Sequence, residues 1–205
     1  MENTFRYEGQ RLYADVSADM LPKAVSLIKE YLASRLYSDK EKQEDPMDFM
    51  DRTLKSMPDS LARRVDLDQL LMKRQMTMQA HERAAKEIAA IPKDSLYQGE
   101  INVTRGYRPG NVAKIKVETN GEGKARIELY FNSYCGDETR PIKWMQYDAL
   151  LKKAADGGFN VDRGTMAQEV GDFKKSDSTY FRIGPIDEVM SAVEWYELES
   201  AVNFL

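Results

Sequence analysis

Cys135 and His81 are the residues best suited to nucleophilic chemistry, a thiol with an imidazole as its base, and each is the single example of its type in 205 residues. Cys135 lies in Asn132-Ser133-Tyr134-Cys135-Gly136-Asp137-Glu138. Its acidic neighbours discourage the thiolate that an attacking cysteine needs, so a half-buried bystander is expected. His81 falls on a helical seam and is expected to pack there, with a pH-sensitive contact as the alternative. A lone cysteine forms no internal disulfide. Zinc sites built from His and Cys take about four such ligands, more than this chain owns, and haem and iron–sulfur ligation meet the same shortage. The expectation is therefore no catalytic residue, no metal and no cofactor of these kinds.

Carboxylates could still hold a hard cation. The run from Asp156 through Asn160 and Asp162 to Gly164 offers oxygen ligands every few residues, but it matches no calcium-loop template and reads as a helix stop followed by an Asx turn. Asp66-Leu67-Asp68 reads as a helix cap. Phosphate cradles of the Gly-x-Gly-x-x-Gly and Gly-Lys-Ser/Thr kinds are absent, as is a Gly-x-Ser-x-Gly nucleophile elbow.

Two segments carry recognition chemistry instead. Arg105, Tyr107 and Arg108 share a loop with Gly106 and Gly110 between two strands, and Lys114 and Lys116 extend from it along a polar strand face. Arginine with an aromatic ring beside a sheet suits single-stranded nucleic acid or a phosphorylated ligand. The second segment is the C-terminal stretch holding Asp187, Glu188, Glu194, Trp195, Tyr196, Glu197 and Glu199, where aromatics among acids suit an interface with a basic protein surface. The net charge of −4 resolves into +4 over residues 61–143 and −8 over the two ends, a division that could orient the molecule toward a charged partner.

The elements that would position these residues follow from periodicity. Phe5–Glu8 and Arg11–Ala14 flank Gly9-Gln10 and read as a hairpin with Phe5 opposite Ala14, Tyr7 opposite Leu12 and Glu8 opposite Arg11. A helix is expected from Ala18 to Tyr37, with Asp19 as cap, then a charged loop over 39–46, a short helix over Met47–Met57 and a long one from Asp66 to Ile91. Two lines run along the long helix. One passes through Leu67, Leu71, Arg74, Met78, His81, Ala85 and Ile88, and the other through Val65, Met72, Met76, Ala80 and Ala84. Together they predict burial on two sides, with Met72, Met76 and Met78 filling the core or offering a partner groove.

Past Pro92 the period changes to alternation. Strands are expected at Leu96–Arg105, Ala113–Thr119 and Lys124–Phe131. The latter two are registered by Glu118 opposite Arg126, Lys116 opposite Glu128 and Val117 opposite Ile127. A helix over Trp144–Asp156 ends at Gly157-Gly158. Residues 160–178 read mostly as loop, Thr179–Ile183 as a strand, and 185–204 as a last helix.

The expected fold class is α+β. A helical N-terminal half (1–94) carries a small leading hairpin. The second half (95–205) is an antiparallel sheet of three or four strands covered by the last two helices, as two subdomains or one continuous domain. No segment approaches the ~20 apolar residues of a membrane span, and Met1–Arg6 lacks a signal peptide's basic start and apolar block.

The leading functional expectation is a non-enzymatic cytoplasmic interaction module whose partner is another protein. In specific form it is an acidic inhibitor or adaptor on a basic surface of a nucleic-acid-handling protein. Nucleic-acid binding through the 105–116 loop and strand is the first alternative, and a carboxylate-based metal-dependent hydrolase the second. A homo-oligomer could form through the 66–91 helix.

Overall fold

The computed structural model describes residues 3–9, 11–55, 62–63, 66–103, 112–120, 122–132, 145–164, 180–183 and 188–191. Within them the chain runs β1 (Thr4–Glu8), β2 (Arg11–Ser17), α1 (Leu21–Ser34), α2 (Asp39–Gln43), α3 (Pro46–Lys55), α4 (Leu67–Ala90), β3 (Tyr97–Asn102), β4 (Val112–Asn120), β5 (Lys124–Asn132), α5 (Met145–Asp156), β6 (Asn160–Asp162), β7 (Tyr180–Ile183) and β8 (Glu188–Ser191). The α+β class holds.

The sheet is larger than its local signals imply. Among the described residues it has six strands in the order β3-β4-β5-β2-β1-β6, against the three or four expected. The N-terminal hairpin keeps its expected register, Phe5 on Ala14 and Glu8 on Arg11, and Gly9 turns it at φ +59°. It is not a separate appendage, however. β2 pairs along its whole length with β5, Leu12 on Leu129 and Ala14 on Ile127, so the hairpin lies inside the sheet. The β4–β5 register also matches, Glu118 on Arg126 and Val117 on Ile127. Asn160–Asp162, expected as loop, forms a parallel strand on β1, where the amide of Asn160 donates to the carbonyl of Asn3 at 3.0 Å.

Alternation gives the sheet two unlike faces. One carries Phe5, Tyr7, Leu12, Ala14, Val16, Ile101, Ala113, Ile115, Val117, Ile127, Leu129 and Phe131, all buried. α1 packs on it with Leu21, Val25, Ile28, Tyr31 and Leu32, α4 with Ala84 and Ile88, and α5 with Tyr147, Leu150, Leu151 and Ala154, in one apolar cluster. Among the described residues the cover thus comes from helices on both sides of residues 92–95, with α5 as the C-terminal contribution. Each fully buried Leu or Ile in that layer stabilises by about 1.5–3 kcal/mol.

Several local expectations shift. α1 starts at Leu21 with Pro22 in its first turn, and its N-cap is Met20 without a side-chain cap bond. Asp19 turns instead toward the Ser17 hydroxyl and nearby amides, which hold its carboxyl below the ordinary range. Residues 39–43 are helix rather than loop because Ser38 and Glu41 form a capping box: Ser38 Oγ accepts from the Glu41 amide, and Glu41 Oε2 accepts from the Ser38 amide. On α4 the buried line is Leu70, Arg74, Thr77, His81, Ala84 and Ile88. It keeps Arg74, His81 and Ile88 of the expected seam and Ala84 of the second line, while Ala85 is exposed and Met72 and Met76 lie on the open side at 55% and 48% exposure. Arg74 and His81 have polar partners inside, the carbonyls of Glu41 and Glu44 and the amide of Tyr37.

The last helix is corrected over Glu188–Ser191, which pairs antiparallel with β7, Ile183 on Glu188 and Tyr180 on Ser191. The Gly184-Pro185 step between two short apolar runs is as much a hairpin signal as a helix start. Residues 192–205 lie outside the described residues.

Candidate functional site

The face of the sheet opposite the helices carries Arg6 and Glu8 from β1, Arg11, Tyr13 and Asp15 from β2, Lys114, Lys116 and Glu118 from β4, and Arg126, Glu128 and Tyr130 from β5. These positions alternate with the buried ones, so the strand period that fills the core also gathers them on one surface. Tyr13 is its centre. The guanidinium carbons of Arg6 and Arg126 lie 4.9 and 5.9 Å from the Tyr13 ring centre. Next to it, Arg11 lies 5.3 Å from the ring of Tyr130.

Carboxylates fix these cations in place. Asp15 Oδ1 accepts from Arg126 Nε at 2.6 Å, and Asp15 Oδ2 faces Arg6 Nε at 3.2 Å. Glu8 takes the other end of Arg6 at 2.9 Å, and Glu128 takes Arg11 at 2.5 Å. The Asp15 bond holds Arg126 above its ordinary pKa, and the charge of Glu128 does the same for Arg11. The result is a mosaic of Arg, Tyr and acid rather than a basic stripe. At its far side Gln98, Gly99, Glu100, Lys114, Lys116 and Glu128 line a shallow depression of about 550 Å³.

The expected recognition residues are only partly brought together. Lys114 and Lys116 stand on this face as the strand pattern requires. Lys114 pairs with Glu100 at 2.8 Å. Lys116 pairs with Glu118 along its own strand, although its directly opposed residue is Glu128; Glu118 raises its pKa. Arg105, Tyr107 and Arg108 lie outside the described residues, as do Cys135, Asp187, Glu194, Trp195, Tyr196, Glu197 and Glu199. Glu188 is placed on β8. His81 is interior, 1% exposed, and belongs to the helical layer.

The sequence reading missed Arg6, Arg11, Tyr13, Arg126 and Tyr130 as a group. The polar alternation of β2 and of β5 was visible separately, but nothing local says that these strands are neighbours. No group of three or more His, Cys, Asp or Glu that could hold a metal ion occurs among the described residues. The Asp162 side chain accepts from the Gly164 amide at 2.9 Å, the expected Asx turn. No helix among the described residues is long and apolar enough to cross a membrane.

Compared with protein-family models, curated proteins and solved structures, the chain gives no match.

Proposed function

We propose that this chain is a non-catalytic binding module that docks another protein on the open face of its six-stranded sheet. The observation that carries this reading is the pair of guanidiniums over Tyr13, from Arg6 and Arg126, with Arg11 over Tyr130 beside it. Arg and Tyr concentrate binding energy at protein interfaces, and side chains already held by Asp15, Glu8 and Glu128 lose little freedom on docking. The acidic 187–199 segment gives the finer form: an inhibitor or adaptor that meets a basic surface, such as that of a nucleic-acid-handling protein, in the cytoplasm.

Nucleic-acid binding is the second reading, favoured by tyrosine rings on an open sheet and by Arg105, Tyr107 and Arg108 in the sequence between β3 and β4. The neutralised guanidiniums weigh against it, because phosphate contacts call for cations without internal partners.

A photo-crosslinking residue at position 13 or 130 tests the first reading. One defined partner is expected to cross-link from both positions and not from position 82 on α4, with the yield lost when Arg6 and Arg126 become Ala. Filter binding of single-stranded RNA between 50 and 200 mM salt tests the second. Steep salt-dependent retention would replace the first reading, and failure of both assays would remove this face from consideration. A second copy of the chain is the remaining partner, through Met72 and Met76. Met72→Gln with Met76→Gln is expected to leave stability within about 0.5 kcal/mol and to lower the sedimentation coefficient of any dimer to that of a monomer.

A further inference from the structure

Two side chains of α4, seven residues apart and so about two turns along one face, hold the chain that links α1 to α3. Arg74 is one. Its Nη2 donates to the carbonyls of Glu41 at 2.9 Å and Glu44 at 2.8 Å, and its guanidinium lies 4.6 Å from the ring centre of Phe49. His81 is the other. Its Nδ1 accepts from the backbone amide of Tyr37 at 2.9 Å, and the two rings meet edge-on with centres 4.8 Å apart. A ring nitrogen that accepts a hydrogen bond carries no proton. The docked corner therefore requires neutral His81 with its proton on Nε2. A proton added at Nδ1 sets N–H against N–H inside the protein and takes away the acceptor of the Tyr37 amide.

Charged and titratable groups surround this contact, and the Tyr37 phenol itself interacts electrostatically with Arg52 of α3. On the held segment Glu41 serves Ser38 and Glu44 serves Arg52 of α3. From α1, Lys29 donates to the carbonyls of Ala89 and Ile91 at the far end of α4, and Arg35 lies over Phe131. From β3, the Tyr97 phenol feels Glu87. Glu82 and Arg83, next to His81 on α4, are exposed.

We propose that His81 is an acid-sensitive latch: a proton at Nδ1 releases the corner at Tyr37 from α4, while Arg74 keeps the Glu41–Phe49 stretch docked. The two clamps differ in chemistry, an imidazole that can take a proton and a guanidinium that proteins do not deprotonate, so the opening is local and hinged at Arg74. It grows as pH falls below about 6.5, because the proton goes to the released ring in an ordinary histidine's surroundings and not to the docked ring, whose Nδ1 is occupied.

Residue-resolved hydrogen exchange on the full chain between pH 7 and 5 tests this. The protection factor of the Tyr37 amide is expected to fall about tenfold per pH unit below the transition, while those of Phe49 and Leu129 stay constant. His81→Asn supplies an acceptor that does not titrate and is expected to abolish the fall. Unchanged Tyr37 protection in the natural chain, an equal fall in the variant, or parallel loss at Leu129 would each overturn the latch. Should the variant fail to fold, the ¹⁵N shifts of His81 decide. Conversion to the doubly protonated ring in step with loss of Tyr37 protection supports the latch. A ring that stays neutral, or that titrates without that loss, overturns it.

Discussion

Asp15 and Arg126 stand directly opposite each other across the β2–β5 ladder, and their side chains close the gap with a 2.6 Å hydrogen bond from Arg126 Nε to Asp15 Oδ1. The same carboxylate faces Arg6, so one acid on a central strand orients two guanidiniums over one ring. Asp15→Asn keeps the shape and removes the charge. The pairs are partly exposed, and the stability loss is expected near 0.5–1 kcal/mol by thermal melting. Partner affinity is expected to fall further, about tenfold, because both arginines lose their fixed position. Equal affinity for the natural chain and the Asp15→Asn variant would show that the guanidiniums do not do the binding.

Tyr147 ties α5 to the sheet. Its hydroxyl donates to the carbonyl of Leu129 at 3.2 Å and accepts from the amide of Phe131 at 3.3 Å. Burial pushes its pKa well up, so it remains protonated across the working range. Tyr147→Phe removes both of these bonds from an apolar layer. About 1–3 kcal/mol of unfolding free energy is expected to disappear in urea titration, with the slope unchanged.

Gly99 makes room for Tyr97. A Cβ at position 99 would stand 2.6 Å from Tyr97 Cζ, so Gly99→Ala forces the ring off the strand. The phenol is held above its ordinary pKa by burial and by Glu87. Ultraviolet titration is therefore expected to show Tyr97 ionising at lower pH in Gly99→Ala than in the natural chain, with a stability loss of about 1–2 kcal/mol.

Glu44 gives the helical corner a separate acid dependence. Its bidentate bond to Arg52, at 2.8 and 2.9 Å, holds the carboxyl below the ordinary range. A lowered folded-state value means stability that is complete above the unfolded value near 4.3 and drains as pH falls through the folded one. Arg52→Gln is expected to remove up to about 1 kcal/mol at neutral pH and to flatten the stability curve below about pH 4.3. The pH 5–7 region, assigned above to the proposed His81 latch, should stay as it is.

Local chemistry was legible and long-range pairing was not. Both hairpin registers could be read because charge and apolar pairs agree over a few residues: Glu8 with Arg11, Glu118 with Arg126. Their union through β2 and β5 is not encoded in either hairpin, since both strands show the same alternation whatever lies beside them. The capping box at Ser38 and Glu41 was present in the sequence, but the density of charge around it reads as loop. On α4 the seam read from the sequence already held Arg74, His81 and Ile88, which are buried, whereas Met72 and Met76 of the second line face outward. Burial of Arg74 and His81 is offset by the carbonyls of Glu41 and Glu44 and the amide of Tyr37. The Arg–Tyr surface followed the fate of the sheet: its residues were visible, their adjacency was not.

The parallel contact of β6 on β1 sets an order of events at the ribosome. Thr4 and Asn160 are ladder partners, and Leu12 waits for Leu129, so the β1–β2 hairpin remains a two-stranded fragment until β5 and β6 have been made. Such a fragment is marginal alone, and non-local pairings of this kind close late and slowly. Nascent chains halted before residue 124 therefore carry Phe5, Tyr7, Leu12 and Val16 without a sheet to enter. Arrest at that length is where a chaperone that recognises alternating apolar strands would find its client.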